Sequence, residues 1–315
     1  MATKPILPIF FATDDGYAAP LGIALESLLA NTHKPYDIRI HILTTSLSPL
    51  HEERLAAIVG ERAALSFIDM TDRIAEVAER LVLRDYYSST TYFRLFISEL
   101  FPEYDKALYL DSDIVVTGDV ADLFETPLDG ALVGAAPEDV MRRVDVFGRY
   151  VEVCLGIPRD EYFNAGVLVM NLAAFREQKI LDRFVELLSH RRYAVTQDED
   201  YLNVLCRGAV VPVGYTWNTS PLAVELSAIP TLIHYKLDRK PWHYTDIHFG
   251  EQFWLYAAAT PYYEDLLAGR DAYGEADIAR DRHSYERLCR LAEDEVAEEL
   301  AAQEEARRHK ADCIA

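Results

Sequence analysis

The chain has 315 residues, half of them hydrophobic, and 31 basic against 52 acidic side chains give it a formal net charge of −21. A chain of this size and composition can bury a large core as a soluble globular protein without disulfides. The negative charge argues against nucleic acid as a partner, and any phosphate-bearing ligand needs locally placed cations. The cysteines are far apart and form no Cys-x-x-Cys pair, which predicts free thiols in a reducing compartment and no structural zinc: Cys154, Cys206, Cys289 and Cys313.

The first apolar run follows Lys4, is interrupted by Pro5 and Pro8, and ends at Asp14 and Asp15. A secretory signal would have a longer apolar run ending in small residues, so this segment predicts a buried first strand. No later stretch reaches the ~18 apolar residues that a membrane span requires. We therefore expect a cytoplasmic protein without a transmembrane segment, and leave open peripheral contact with the inner face of the membrane.

Strand-like and helix-like patterns alternate along the first two thirds of the chain. Short runs rich in β-branched or aromatic residues predict strands at residues 6–12, 38–43, 65–68, 107–110 and 166–170. Helical spacing predicts helices at residues 20–30, 50–58 after the cap candidate Ser48, 74–81 and 89–100. This alternation predicts an α/β domain with a mostly parallel sheet over residues 1–270, and ligands of such sheets bind at the carboxyl ends of the strands.

The remainder, residues 271–315, reads as a charged helical tail. Residues 281–312 contain few strand formers, and their apolar side chains recur at helical spacing: Tyr285, Leu288, Leu291, Val296 and Leu300. We expect a helix that docks on the body or frays in solvent, and self-association through it is the alternative. Its excess of acid disfavours a membrane-surface helix.

Several common catalytic and nucleotide-binding motifs are missing from the sequence: there is no P-loop, no G-x-G-x-x-G after a strand, no G-x-S-x-G and no H-E-x-x-H. One apolar run, however, ends directly in two carboxylates, Asp111 and Asp113. In a strand, the i, i+2 spacing points both side chains to the same side. Two such charges repel and are costly to bury unless a cation lies between them or one is protonated. A divalent metal is the simplest solution, and the alternative is that Asp111 caps a turn while Asp113 is solvated.

Two further segments strengthen the metal hypothesis. The first strand also ends in acids, at Asp14 and Asp15, which predicts a second polar edge where a nucleotide could bind. His234 follows another apolar run and is itself followed by three cations, Lys236, Arg239 and Lys240. Carboxylates with one imidazole suit manganese better than calcium, and the lysines could neutralise a diphosphate.

Six segments together resemble glycosyltransferase family eight, which includes bacterial lipopolysaccharide galactosyl- and glucosyltransferases and glycogenin. The resemblance runs in order over residues 6–255, and six ordered blocks are more specific than any single one. The blocks are residues 9–17 (IFFATDDGY), 89–95 (STTYFRL), 108–114 (LYLDSDI), 162–168 (YFNAGVL), 197–203 (QDEDYLN) and 234–242 (HYKLDRKPW).

The resemblance implies a GT-A nucleotide-diphospho-sugar transferase fold, Rossmann-like, with a mostly parallel mixed sheet flanked by helices. It also implies retaining transfer of glucose or galactose from a UDP-sugar to a glycan acceptor, with Mn²⁺ or Mg²⁺ as cofactor. By position, the metal ligands would be Asp111, Asp113 and His234. The donor-binding positions would be Ala12, Thr13, Asp14, Tyr17, Arg94, Ser112, Glu138, Ala165 and Lys240, and the catalytic positions around the donor sugar would be Arg94, Asn164, Asp198 and Glu199.

Two positions depart from the family pattern. Glu199 stands where the family usually has glutamine, so it could stabilise the cationic sugar or form a covalent glycosyl intermediate; the alternative is that it binds a sugar hydroxyl while the acceptor attacks from the leaving-group side. Leu237 stands where lipopolysaccharide enzymes commonly have glycine. We therefore expect that loop to follow a different path, which puts its phosphate contact in doubt.

Two other functions compete with the transferase hypothesis. A haloacid-dehalogenase-type phosphatase also has an Asp-x-Asp motif at a strand end, but it expects the motif at the first core strand and leaves His234 unexplained. An inactive nucleotide-sugar-binding scaffold would not need an intact metal set. The acceptor is not identified by the sequence, although loop aromatics offer candidate sugar-stacking rings: Tyr215, Trp217, Trp242, Tyr244, Phe249 and Trp254.

Overall fold

The structure is a computed structural model that describes residues 4–81, 89–222 and 229–312. Its centre is a seven-stranded sheet with a separate two-stranded sheet beside it. The strands are β1 (Ile6–Ala12), β2 (Asp37–Thr44), β3 (Ala64–Asp69), β4 (Lys106–Leu110), β5 (Ile114–Val116), β6 (Val133–Pro137), β7 (Phe163–Asn171), β8 (Val210–Pro212) and β9 (Leu232–His234). The large sheet has the order β3-β2-β1-β4-β7-β6-β8, and β5 pairs with β9.

The mostly parallel mixed sheet that we predicted is confirmed. The pairs β1–β2, β2–β3, β1–β4 and β6–β8 are parallel, whereas β7 runs antiparallel to both β4 and β6. All five predicted strands are present. The short strands β5, β6, β8 and β9 were not predicted, because three to five residues carry too little alternation to be distinguished from loops.

Helices cover the sheet and continue beyond it. They are α1 (Ala18–Asn31), α2 (Pro49–Val59), α3 (Thr71–Ala75), α4 (Ile97–Leu100), α5 (Val120–Phe124), α6 (Asp139–Arg143), α7 (Asp145–Tyr150), α8 (Leu172–Glu177), α9 (Ile180–His190), α10 (Asp198–Leu205), α11 (Gly250–Ala257), α12 (Tyr263–Ala272) and α13 (Glu275–Asp312). Within the described residues, no helix is both long enough and apolar enough to cross a membrane.

Two helix predictions need correction. The predicted helix over residues 74–81 is instead the end of α3 followed by a 3₁₀ turn at Ala78–Arg80, and residues 89–96 of the predicted helix 89–100 form a 3₁₀ helix before α4. Ser48 does precede α2, but its side chain makes no capping hydrogen bond. Helical spacing alone does not distinguish a 3₁₀ helix from an α-helix over one or two turns.

The core consists of two apolar layers, one on each face of the large sheet. Along β1, Leu7, Ile9 and Phe11 belong to one cluster and Phe10 to the other, as the period of two requires. All four side chains are fully buried. Burial on both faces explains why β1 is a continuous apolar run and why the sequence revealed it clearly.

The C-terminal helix α13 packs against the body. Ala292 is fully buried and Val296 is nearly so, both in the same apolar cluster as Phe147 of α7. The predicted apolar face is partly wrong, because Tyr285 and Leu300 are exposed by 38% and 40%. The buried face begins instead with two polar residues, since Asp281 and Ser284 are 2% and 8% exposed and continue into Leu288, Ala292 and Val296. Self-association through α13 stays a prediction.

Candidate active site

The two aspartates lie in the short connection between β4 and β5 rather than within a strand. The pairing of β5 with β9 brings His234 to them, because Ile114 is the register partner of His234 and the Tyr235 amide donates to the Asp113 carbonyl at 2.9 Å. Residues more than a hundred positions apart in the chain thus meet through a three-residue strand pair. This explains why β5 and β9 form a sheet of their own.

The side chains of Asp111, Asp113 and His234 form one cluster. Their candidate ligand atoms all lie within 4.8 Å of one another, and His234 Nε2 is 3.6 Å from Asp111 Oδ2 and 3.1 Å from Asp113 Oδ1. His234 is 3% exposed and Asp113 9%. Two carboxylates and one imidazole, mostly buried and converging, are a donor set that suits Mn²⁺ or Mg²⁺.

A chain of hydrogen bonds fixes the orientation of the histidine ring. The Gly166 amide donates to Asn164 Oδ1 at 3.0 Å, so Asn218 Nδ2 must be the donor to that same oxygen at 2.7 Å. Asn218 Oδ1 then accepts from His234 Nδ1 at 2.9 Å. The neutral ring therefore carries its lone pair on Nε2, the nitrogen that faces the two aspartates, as a metal ligand requires.

Gly166 allows this approach because it has no side chain. A Cβ at this position would overlap His234 Cε1 and Asp111 Oδ2. The glycine of the Phe-Asn-Ala-Gly segment is therefore required by space, and not by a left-handed backbone. Because only glycine fits at this position, the side chains of the cluster must be closely packed at this strand end.

Lys240 is the cation nearest to the cluster. Its Nζ donates to Asp113 Oδ2 at 2.5 Å and lies 5.8 Å and 5.6 Å from the ring centroids of Tyr17 and Trp242. Burial alone would raise the pKa of Asp113, but Lys240 and His234 hold it below its usual value. Asp113 is therefore ionised over the physiological range and available as a ligand.

The other two cations that follow His234 have different partners, and one of them, Lys236, was expected to neutralise a diphosphate. Lys236 Nζ donates to Glu138 at 2.8 Å and 2.9 Å in a buried pair, and Arg239 pairs at the surface with Asp246 at 2.9 Å. Burial opposes ionisation of Glu138, yet Lys236 holds its pKa below the usual value. Of the three predicted cations, Lys240 alone contacts the metal cluster in the described residues.

Arg94 joins the cluster to the next carboxylate. Its Nη2 donates to Asp111 Oδ1 at 3.0 Å, its Nε lies 3.1 Å from Asp198 Oδ2, and its guanidinium stacks over the Tyr109 ring at 4.2 Å. Arg94 Nη1 also donates to the Ala165 carbonyl. Burial raises the pKa of Asp198 to about 7, although Arg94 acts in the opposite direction. Arg94 is thus a fixed cation between two carboxylates.

Glu199 lies at the start of α10, and one of its carboxyl oxygens accepts two hydrogen bonds. Its Oε2 accepts from the Ala165 amide at 2.8 Å and from Asn164 Nδ2 at 2.9 Å, and Asn164 Nδ2 also donates to Glu138 at 2.6 Å. Burial, and then the charge of Glu138, raise the pKa of Glu199 well above its usual value. Both effects favour a neutral Glu199 carboxyl group.

The end of β1 forms the remaining polar edge. Asp14 accepts from the Tyr17 amide at 3.2 Å and so caps a 3₁₀ turn, while Ser112 Oγ donates to the Ala12 carbonyl at 2.9 Å and joins this edge to the aspartate loop. Thr13 is buried beside them. Because β1 and β4 are parallel neighbours, their carboxyl ends meet as predicted.

All of the predicted site residues line one cavity of about 230 Å³. Sequence reasoning missed Asn218 and Tyr109 as supports of the cluster, and no local signal marks either residue for that role. The expectation of sugar-stacking aromatics is wrong for this cavity, since none of the six named rings is among the residues described as lining it. Trp242 and Trp254 instead pack against Phe253.

Leu237 has φ of +60°, in the left-handed region that favours glycine. Leu237 thus holds a backbone conformation that glycine adopts with less strain. A different path for this loop than in lipopolysaccharide enzymes stays a prediction. Leu237 lines the cavity directly before Asp238 and near Lys240.

The family model described as "Glycosyl transferase family 8" matches residues 8–246. Glycosyltransferase GlyF of Streptococcus pneumoniae serotype 4 is 28% identical over 79% of this chain and 60% of its own length. Lipopolysaccharide 1,2-glucosyltransferase of Escherichia coli K12 is 25% identical over 84% of this chain and 80% of its own. This chain therefore spans less than two thirds of GlyF.

Solved structures are similar as well. An active-site glutamine-to-glutamate mutant of LgtC superposes with a TM-score of 0.68 at 29% identity, over 81% of this chain and 96% of that one. LgtC has also been solved as a galactosyltransferase in complex with donor and acceptor sugar analogues. The bifunctional glycosyltransferase WbbM has a TM-score of 0.75 at 25% identity, over 86% of this chain and 53% of its own.

Proposed function

Because the chain belongs to glycosyl transferase family 8 and has the GT-A fold, we propose that it transfers glucose or galactose from a UDP-sugar to a glycan acceptor with retention of configuration. The observation that carries the proposal is the buried cluster of Asp111, Asp113 and His234 within 4.8 Å, in the same cavity as Glu199. The similarity to lipopolysaccharide and other bacterial glycosyltransferases supports a role in surface glycan synthesis. The free, buried Cys154 and Cys206 fit a reducing, cytoplasmic setting.

Asp111, Asp113 and His234 would hold a divalent metal, Mn²⁺ or Mg²⁺. When bound, such an ion neutralises negative charge that develops on a diphosphate leaving group. Asn218 keeps the His234 ring in the tautomer that this role needs, and Lys240 holds a second positive charge against Asp113. Ala12, Asp14 and Tyr17, at the end of β1, are proposed to bind the nucleoside.

In the proposed reaction, the bond between the anomeric carbon and the diphosphate oxygen breaks and a bond to an acceptor hydroxyl oxygen forms. The hydroxyl attacks from the side of the leaving group, and its proton passes to the departing diphosphate. Arg94, fixed by two carboxylates, and Asn164, fixed by Gly166 and Asn218, would position the donor sugar. Such fixed dipoles stabilise developing charge without reorganising during the reaction.

For Glu199, we propose a binding role in preference to a nucleophilic one. Its Oε2 is held by two donors and its raised pKa favours the neutral acid, which donates a hydrogen bond from the remaining oxygen as a glutamine amide would. The substitution Glu199→Gln should then keep transfer within about tenfold of the wild type. A loss of 10³-fold or more, with a trapped glycosyl adduct on the Glu199 peptide by mass spectrometry, would support the nucleophile instead.

A thermal-shift titration tests the donor and metal together. UDP, UDP-glucose and UDP-galactose are each added with and without Mn²⁺ to the wild type, to Asp113→Ala and to the control Asp265→Ala, which alters an exposed ion pair with Arg54. A specific ligand at a hundredfold excess over its dissociation constant should stabilise the wild type and the control by ~2.7 kcal/mol.

We expect stabilisation to require nucleotide and metal together and to vanish in Asp113→Ala. If no nucleotide stabilises the wild type, the proposed donor site is absent. The inactive-scaffold alternative predicts a different result, namely binding without release of UDP in the presence of any acceptor or of water alone.

A further inference from the structure

The helix α13 begins 29 residues beyond the end of the family match at residue 246, yet it lines the same cavity as the metal cluster. Together with α6 and α7 it contributes an apolar surface, which we call the α13 wall. The α13 wall consists of Val140, Met141, Phe147, Tyr285 and Leu288. The family match covers the donor side of the cavity but not the four lining residues of α13, Asp281, Ser284, Tyr285 and Leu288.

The position of α13 is fixed by specific contacts. Asp281, 2% exposed, accepts hydrogen bonds from the hydroxyls of Tyr244 and Tyr273, each at 2.6 Å. The Tyr285 ring meets Phe147 edge to face, with centroids 6.2 Å apart at 75°. About two helical turns after Tyr285, Ala292 is fully buried. The α13 wall is therefore a built surface and not a helix lying loosely on the protein.

Charge around the α13 wall disfavours an anionic ligand there. Lys236, Lys240 and Arg94, the lysine and arginine side chains among the described residues lining the cavity, each form an ion pair with a carboxylate. Among the residues described as lining the cavity, α13 contributes the acid Asp281 and no lysine or arginine, and Asp238 adjoins Leu237. An apolar wall flanked by acids suits a neutral ligand with an apolar part.

We propose that the α13 wall is an acceptor subsite that takes the apolar aglycone of a neutral glycoside. The proposal rests on the proposed function, since it assigns the acceptor to the part of the cavity that is not lined by the proposed donor-binding residues. Continuity carries the assignment: Tyr285 and Leu288 line one cavity with Glu199 and Asn164, where the donor sugar is expected. An acceptor sugar bound beside the donor sugar would then have the α13 wall available for its aglycone.

The test compares phenyl and methyl β-glycosides of glucose and galactose as probes. Dissociation constants are measured by saturation-transfer NMR in the presence of UDP and Mn²⁺, so that no turnover is needed. We expect the wild type to bind the phenyl glycosides on the order of tenfold more tightly, because the phenyl group buries apolar area that a methyl group does not.

Tyr285→Ala and Leu288→Asn should reduce this preference to less than threefold, while Leu300→Ala, on the same helix but 40% exposed and away from the cavity, should keep it. Melting temperatures and UDP–Mn²⁺ affinity are recorded for every variant, and an unfolded variant is replaced by Tyr285→Phe or Leu288→Ala. Tyr285→Phe should retain the preference, because it keeps the ring, whereas Leu288→Ala should weaken it.

Equal binding of phenyl and methyl glycosides by the wild type, no binding of either, or an unchanged preference in both wall variants would overturn the proposal. Its failure is distinguishable from failure of the proposed function. Loss of this preference with intact UDP–Mn²⁺ binding removes only the subsite. Absence of UDP–Mn²⁺ binding in the wild type removes the transferase assignment itself.

Discussion

The two ends of the cavity are built on different physical principles. At the metal cluster, carboxylates, an imidazole and Lys240 hold each other by hydrogen bonds, and most of these side chains are buried. At the α13 wall, apolar side chains are held by packing, and α13 contributes the acid Asp281 and no cation to the described cavity lining. The first end lies within the family match and the second lies partly beyond it. Charge therefore defines the end that lies within the family match, and apolar shape defines the end to which α13 contributes.

The largest expected effect comes from Gly166→Ala. The new methyl group overlaps His234 and Asp111, so the cluster must open, and Mn²⁺ affinity should fall at least a hundredfold, or ~2.7 kcal/mol. Isothermal titration calorimetry with Mn²⁺ and UDP measures it. Gly269→Ala is the matched control, because a Cβ there meets nothing within 4 Å. Unchanged Mn²⁺ affinity in Gly166→Ala would show that the cluster is not the metal site.

A smaller effect is expected from Asn218→Ala. His234 loses the acceptor that fixes its tautomer, and removal of such a supporting group typically costs 10–100-fold in metal affinity. The same calorimetric titration applies. Asn31→Ala serves as the control. The Asn31 side chain makes three hydrogen bonds, to Ser27, Val116 and Tyr256, but Asn31 is not among the residues described as lining the cavity. Equal losses in both variants would point to general destabilisation.

The smallest expected effect for each unit of pH distinguishes the charged end from the apolar end. In the metal-free protein the pKa of Asp198 is about 7, above its ordinary value, so the folded chain holds a proton that the unfolded chain releases between about pH 4 and pH 7. Stability should therefore fall as pH rises through this range. Asp198→Asn should flatten the slope by up to ~1.4 kcal/mol per pH unit.

Val296→Ala supplies the comparison from α13. It removes buried methyl groups, and so should lower the free energy of unfolding by ~1–2 kcal/mol at every pH with an unchanged slope. Urea denaturation at half-unit pH intervals measures both variants. A slope that stays the same in Asp198→Asn would contradict the raised pKa.

The charged end was largely predictable from the sequence. Asp111 and Asp113 follow an apolar run, and a carboxylate at the end of a buried strand is unusual enough to be noticed locally. His234 was noticeable because it follows an apolar run and precedes three cations, and the six ordered blocks then implied that it binds the same metal as the aspartates. The pairing of β5 with β9, which creates the contact, involves three residues on each strand and has no signal of its own.

The apolar end was not predictable to the same degree. Helical spacing predicts that α13 has an apolar face, but it does not identify what that face contacts. In the structure the buried face starts with Asp281 and Ser284 rather than with Tyr285. Asn218 was missed for a related reason: its role comes from two side chains that are distant in the sequence, Asn164 and His234. Long-range packing decides both cases.

The hydrogen bonds to Asp281 limit how the two ends can be studied separately. A chain cut before Glu275 would lose the acceptor of both Tyr244 and Tyr273, and Tyr244 lies only four residues after Lys240. Shortening the protein would therefore disturb the loop that carries the cation of the metal cluster. In protein engineering, α13 can therefore be replaced by another helix only if that helix keeps a hydrogen-bond acceptor at the position of Asp281.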